Sequence, residues 1–329
     1  MPVSTSRGPG APRPARRPAR RPTRGALPRS ASAANRRARR LRPLVAAGSA
    51  LVVLTAGALW LVRDDDAPVV RERCTATVDG ASTSLSPEQA RNAATVVGLA
   101  VRRGLPARAA TIAIATVVQE SGLRNLDHGD RDSLGLFQQR PSQGWGSPEQ
   151  VRDPVFATTA FYDALVEVDG YRDLPVTDAA QEVQRSGFPL AYGDHEPEAR
   201  LIASALTGYT PAGFTCRLRA AEPDAQVGTD EEASAGAQRL RDAMGTEVVA
   251  VAPRVVPGTD GKALQYALEG EDAARLAWAA AAWAVASADA HDVVEVSVEG
   301  STWVRERSGH GWTPAGTGVP AGAVRVRVA

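Results

Sequence analysis

The sequence predicts a mainly α domain with a short β element, then a small α+β domain, both standing behind one N-terminal transmembrane helix. Three observations carry this. An uncharged apolar run at 43–62 has arginines on one side and aspartates on the other. Between the chain's two cysteines, Cys74 and Cys216, apolar residues recur at helical spacing. After a polar, acidic stretch the pattern changes to alternating valines, as strands require. A length of 329 residues leaves room for about two domains and their connections.

Residues 1–42 form a leader. From Arg7 to Arg42 the chain carries many arginines and no acidic residue, in a background of Pro, Ala, Gly and Ser. Such a composition buries too little apolar surface to offset chain entropy, which predicts disorder. The formal net charge of +1 conceals this asymmetry, because the rest of the chain is acidic. Arginine clusters also bind nucleic-acid phosphates, but the apolar run directly after this cluster argues against a nucleic-acid partner. Pro43–Val62 is uncharged and has roughly the 20 residues that cross a bilayer as a helix. Arg36, Arg37, Arg39, Arg40 and Arg42 precede it, and Asp64, Asp65 and Asp66 come after it. Arginines beside the end of a span hold that end in the cytoplasm. The expected topology is therefore a single-pass cell-membrane anchor with the N-terminus cytoplasmic and the later domains extracytoplasmic. Trp60 suits the far interface, and the leader would also touch anionic membrane lipid. A cleaved signal peptide, processed at Ala56-Gly57-Ala58, is the subsidiary reading. The long leader and the full-length apolar run favour the uncleaved anchor.

Residues 63–73 read as a linker, and 74–217 as the first extracytoplasmic domain. Outside the membrane a disulfide is permitted, and Cys74–Cys216 would staple the two ends of that domain; two unrelated buried thiols are the alternative. Within it, Ser86-Pro87-Glu88-Gln89 is a capping box with Pro at the first helical position, opening a helix with Ala90, Ala94, Val97 and Val101 on one face. Gly104 ends it. A second helix runs from about Ala107 to Glu120, closed by Ser121-Gly122. A loop rich in Asp and Gly comes next, then a short strand over Leu134–Gln138. Asp153-Pro154 caps a third helix with Phe161, Leu165 and Val168 on one face. Thr177–Arg185 and Glu196–Thr207 read as two more. All five Phe lie between Phe137 and Phe214, as an aromatic core would place them.

Residues 218–234 read as a second linker. The small α+β domain at 235–329 holds a helix to about Met244, a strand at Glu247–Val251 and an Ala-rich helix with Trp278 and Trp283. Two strands come after these, with Val294, Val296 and Val298 on one and Val324, Val326 and Val328 on the other. It carries no catalytic constellation. Trp303 and Trp312 read as packing residues, with ligand binding as the alternative. The four histidines lack ligand spacing, so no metal site and no cofactor is expected.

The chemistry centres on Gln119-Glu120-Ser121-Gly122-Leu123 and Gly135-Leu136-Phe137-Gln138. Glu120 shares its helical face with Ala113, Thr116 and Val117. A carboxylate ending an apolar face beside a polar loop is partly desolvated, which raises its pKa toward that of a general acid. Alone, the position reads better as a solvated glutamate at a helix terminus, a common residue there.

The context changes that balance. Glu-Ser closing a helix, then a loop, then Gly-Leu-Phe-Gln, resembles the signature of the lysozyme-like lytic transglycosylases of the soluble-lytic-transglycosylase type, whose pattern reads Glu-Ser, a loop, Gly-Leu-Met-Gln. Val151-Arg152-Asp153-Pro154, with the helix carrying Ala160, Tyr162 and Leu165 behind it, is similar to that family's Asp-Pro helix behind the cleft. The resemblance spans about Pro87–Tyr209 and implies a lysozyme-like fold. By it Glu120 is the acid/base, Ser121 supports it and Gln138 lines the glycan cleft, with Gln139, Gln143 and Trp145 as further sugar contacts. The third family motif, Ala-Tyr-Asn-Ala-Gly, is replaced by Ser204-Ala205-Leu206-Thr207-Gly208, without tyrosine or asparagine. Tyr192 is the candidate to fill the tyrosine role, a structural tyrosine being the alternative. The near-exclusive use of arginine over lysine, with abundant Ala, Pro and Gly, matches a GC-rich bacterium.

A glycosidase can also use two carboxylates. Asp132, or Asp130 beside it, is the candidate second group and would make the reaction hydrolytic. The alternative is that these aspartates only turn the loop. Two functions are thus expected of this sequence. One is cleavage of the MurNAc–GlcNAc linkage in peptidoglycan glycan strands. The other is a catalytically degenerate wall-binding or scaffold protein whose C-terminal domain recruits a protein partner.

Overall fold

The computed structural model describes residues 71–188, 190–221, 230–257, 259, 261–316 and 318–329. The leader at 1–42, the apolar run at 43–62 and most of the linker at 63–73 lie outside these residues. Among the described residues no helix is long and apolar enough to cross a membrane.

The domain begins with a hairpin that the helical pattern did not announce. Strands β1 (Arg73–Val78) and β2 (Ala81–Leu85) pair antiparallel with Val78 opposite Ala81. The turn between them is Asp79-Gly80, with φ of 49° and 81°. Both residues are left-handed, as the two-residue hairpin turn matching strand twist demands. Strand β3 (Phe214–Arg217) pairs with the other edge of β1, placing Cys216 opposite Cys74. The disulfide Cys74–Cys216 forms there, joining residues 142 apart in sequence. The β element of this domain is therefore built from its two chain ends.

Helix α1 (Pro87–Arg102) opens with the full capping box of Ser86 and Gln89. Helix α2 (Ala107–Ser121) ends at Gly122 in the left-handed conformation, whose N–H donates to the Val118 carbonyl at 3.0 Å. Short α3 (Pro148–Arg152) leads into α4 (Pro154–Val166), capped by the Asp153 carboxylate, which accepts from the Val155 and Phe156 amides. Val168 lies beyond the end of α4. Helices α5 (Val176–Gln184), α6 (Ala191–Asp194) and α7 (Glu196–Leu206) complete the layer around α2, which packs against all three. Phe137 stacks on Phe161 with ring centroids 4.6 Å apart, and the buried Tyr162 hydroxyl donates to the Val96 carbonyl.

The strand expected over Leu134–Gln138 is not one. Leu134 and Gly135 make isolated bridges to Gln139 and Leu126, and the residues between turn back on themselves. Positive φ at Gly135 and Gln138 (76° and 47°) breaks the extension.

Of the linker expected at 218–234, Leu218 is buried and its N–H donates to Ser308 Oγ, while α8 (Asp230–Glu247) already begins at its far end. The part at 222–229 lies outside the described residues. The strand expected at Glu247–Val251 is replaced by the last turn of α8, where the Val248 and Val249 amides both donate to the Met244 carbonyl. Apolar Val248 and Val249 are buried by packing beside a helix end, which their β propensity could not foretell. The chain continues through strands β4 (Arg254–Val255) and β5 (Ala263–Ala267), helix α9 (Ala273–Ala286), then β6 (Val293–Val298), β7 (Ser301–Val304), β8 (Thr313–Pro314) and β9 (Ala323–Val328). The strands form an antiparallel sheet in the order β4-β5-β9-β6-β7-β8. Val296 and Val298 oppose Val326 and Val324 in the core, but a register shift after Val293 leaves Val294 only half-buried and buries Val293 instead.

The two regions share one core. Helix α9 is buried on nearly every side, packed between β6, β9 and α1. A Cβ on Gly98 of α1 would stand 2.9 Å from the Glu247 carbonyl oxygen and 3.1 Å from Trp283 Cδ1, so the absence of a side chain lets α1 come this close. Trp303 and Trp312 serve packing: their indole N–H groups donate to the Cys216 and Phe214 carbonyls of β3.

Candidate active site

Glu120 sits one residue before the end of α2, half-buried, where the helix meets the loop beyond Gly122. Its Oε1 accepts two hydrogen bonds. The Tyr192 hydroxyl of α6 donates at 2.6 Å, and Gln184 Nε2 at the end of α5 donates at 3.3 Å. The same Gln184 amide donates to the Phe137 carbonyl at 2.8 Å. One side chain thus ties the acid to the Gly-Leu-Phe-Gln turn.

Burial pushes the Glu120 pKa up, and the bonds from Tyr192 and Gln184 pull it back without cancelling the rise. No second carboxylate contributes to the shift. Tyr192 is pushed well above the usual phenol range by burial and then by the neighbouring Glu120 charge, so its hydroxyl stays a donor. His195 Nε2 lies 3.0 Å from Gln119 Oε1, and its Nδ1 lies 3.0 Å from Glu198. That bridge pins the end of α2 to the start of α7.

Beside Gln184 opens a groove of about 950 Å³, lined by Gln143, Trp145, Leu174, Glu182 and Gln184 among others. Gln184 lines this groove and donates to Glu120, which is itself not among the lining residues. On the turn leading into α6, Phe188 and Leu190 are 75% and 78% exposed, a large apolar surface next to Tyr192.

Gln143 and Trp145, taken from the sequence as sugar contacts, therefore share a groove, and Tyr192 meets Glu120. Other expectations are corrected. The Ser121 hydroxyl donates to the Val117 carbonyl of its own helix, so it closes α2 rather than holding Glu120. Gln139 is 2% exposed and donates to the Ala157 carbonyl, which makes it an interior residue out of reach of a glycan. Gln138 is half-buried over the Asp-Gly loop, donating to the Gly135 carbonyl at 3.1 Å and the His128 carbonyl at 3.4 Å.

Asp132 serves as an anchor. It accepts from Arg140 Nε at 2.8 Å, from the Ser142 amide at 2.8 Å and from the Ser142 hydroxyl at 3.0 Å. These bonds, the Ser142 amide first, hold its pKa well below the usual carboxylate range, and Asp132 is not among the groups that shift or hydrogen-bond Glu120. Asp130 is exposed at the loop tip, with Arg131 3.9 Å away. The third-motif segment is spent on packing: Gly208 has φ of 79°, and a Cβ there would lie 2.0 Å from the Arg275 carbonyl oxygen of α9.

No protein-family model matches the chain, and no curated protein matches it. Among the described residues no group of His, Cys, Asp or Glu is placed to hold a metal ion. Glu120 and its surroundings carry the functional reading. Gln184 is the member of this site that the sequence did not mark, since a glutamine ending an amphipathic helix has no local signal of a partner on another element.

Proposed function

We propose that this chain cleaves peptidoglycan glycan strands at the MurNAc–GlcNAc linkage, with Glu120 as the single acid/base. The observation that carries the reading is the desolvated Glu120 carboxyl group held by Tyr192 and Gln184 with no carboxylate partner. A carboxyl group of raised pKa keeps its proton nearer neutral pH and can donate it to the leaving glycosidic oxygen. The carboxylate so formed, still bonded to the Tyr192 hydroxyl, then takes a proton from the attacking group. Glu182 lines the neighbouring groove, but no carboxylate is among the groups that hydrogen-bond or shift Glu120, which favours the substrate's own hydroxyl as the nucleophile. That makes the reaction of lytic transglycosylase type and its product an anhydro-sugar. The resemblance of Glu120-Ser121 and Gly135–Gln138 to that family supports the same reading.

The apolar run at 43–62 supports a membrane anchor with this domain on the extracytoplasmic face, and the groove with Gln143 and Trp145 supports a glycan strand as ligand. The replacement of the third motif by packing residues favours a second reading, a lysozyme-like wall binder or scaffold without turnover. Incubating the full chain, in detergent, with purified peptidoglycan separates them. Anhydro-muropeptides support the transglycosylase, reducing-end products point to a hydrolase, and co-sedimentation without products means a binder.

A further inference from the structure

The first sheet has a face that no glycan chemistry uses. Along β1 and β3 the side chains alternate: Cys74 and Cys216 point inward, while Arg73, Thr75, Thr215 and Arg217 point the other way. Arg73 stands directly opposite Arg217, and Thr75 opposite Thr215. Like charges placed opposite one another across a strand pair destabilise it. Arg71 extends the same row, and none of these three guanidinium groups has a hydrogen bond or ion pair to another described residue. The nearby acid, Glu72, is already occupied by Arg219 at 3.0 Å.

These residues line a pocket of about 510 Å³, to which Ser308 and Gly309, in a 3-10 turn of the C-terminal region, also contribute. Thr215 Oγ1, which lines it, is buried from solvent without a hydrogen-bond partner. Thr158, Tyr171, Tyr266 and Ser287 also bury an unpartnered hydroxyl, but Thr215 is the one of these five that lines a pocket with guanidinium groups, where a bound oxyanion would satisfy it. Three guanidinium groups unpaired among the described residues, with an unsatisfied hydroxyl, match the oxygens of a phosphate, which guanidinium forks bind in pairs of parallel hydrogen bonds.

The geometry points to this pocket as a binding site for a phosphate ester, distinct from the Glu120 site and independent of any glycan cleavage. The phosphate comes either from a soluble or polymer-borne ester or from a lipid headgroup. The second source is within reach, because eight residues separate Val62 from Arg71 and span at most about 30 Å.

The test titrates inorganic phosphate into the full chain in neutral detergent at low ionic strength, with binding read by calorimetry and Tm. Saturable binding is expected, weakened about tenfold or more in Arg73→Ala/Arg217→Ala. Arg217→Lys, which keeps the charge and loses the fork, and Thr215→Val are expected to weaken it while leaving the unliganded Tm close to that of the parent. No saturable binding, or equal binding by parent and variants, overturns the site. Repeating the titration in vesicles of phosphatidylcholine alone and in vesicles containing phosphatidylglycerol separates the sources. Headgroup occupancy removes phosphate binding only in the anionic vesicles, while a non-lipid ester leaves it equal in both.

Discussion

The Tyr192 hydroxyl donates to Glu120 Oε1 at 2.6 Å, joining residues 72 apart in sequence. A bond to the ionised form lowers a carboxyl pKa, so Tyr192 opposes the rise that burial causes at Glu120. The Glu120 carboxyl group is thus subject to two opposed effects, and each can be changed separately.

Removing the acid tests its role directly. Glu120→Gln keeps the shape and both donors but cannot give up a proton, so cleavage is expected to fall about 100- to 10,000-fold. Tyr192→Phe leaves the acid and removes only the opposing bond. The Glu120 pKa then rises further, and because the protonated form is the reactive one, the alkaline fall of kcat/KM moves to higher pH. A pH–rate profile on purified glycan strands reads this shift; an unchanged profile means Tyr192 does not tune the acid.

Asp132→Asn separates an anchor from a second catalytic carboxylate. The three bonds to Arg140 and Ser142 make Asp132 a loop fastener, so the variant is expected to keep activity within about tenfold of the parent. The native pKa is depressed, so the parent keeps the stabilisation of this carboxylate above the ordinary aspartate range and loses it only as pH falls further. The variant lacks that contribution at neutral pH already. Loss of activity as deep as that of Glu120→Gln would restore a two-carboxylate hydrolysis.

Cys74–Cys216 closes a loop of 142 residues. Constraint of the unfolded chain by so long a loop is worth about 2–5 kcal/mol. Cys74→Ser/Cys216→Ser should therefore lower Tm by about 5–15 °C, measured by differential scanning calorimetry against the parent with and without reductant. Reductant should move the parent toward the variant and leave the variant where it is.

Glu247 is a half-buried carboxylate between the two regions, and its Oε2 accepts from Thr95 Oγ1 at 2.8 Å and from Trp283 Nε1 at 2.9 Å. Burial raises its pKa, and the two bonds only moderate the rise. The folded state therefore holds this proton more tightly than the unfolded chain, and stability falls as pH rises through the window between the two pKa values. Glu247→Gln accepts the same two bonds without a charge. Its Tm should exceed that of the parent at neutral pH and match it in acid; a variant less stable at every pH would mean the charge itself holds the interface.

Several elements were legible because their causes are local. Ser86 and Gln89 cap α1 across three residues, Asp153 caps α4 across two, and Gly122 ends α2 where its missing Cβ permits the left-handed turn. The Asp79-Gly80 turn is equally local, but the strands beside it are short and rich in Thr and Ser, so no apolar alternation announced the hairpin. The Glu247–Val251 strand failed for the opposite reason: Val248 and Val249 are buried against a helix end, and burial alone does not distinguish a strand from a turn.

The sequence by itself determined the caps, the apolar faces of the helices and the position of Glu120 at the end of α2, since each depends on residues within about one helical turn. Only the tertiary structure decided who surrounds that carboxyl group. It brought Tyr192 and Gln184 to it from 72 and 64 residues away, turned Gln139 inward and gave Asp132 to Arg140 and Ser142. It also set Arg73 opposite Arg217 by pairing the two ends of the domain. Contacts of that kind form through the packing of whole elements, and no pattern within a single element records which others it will meet.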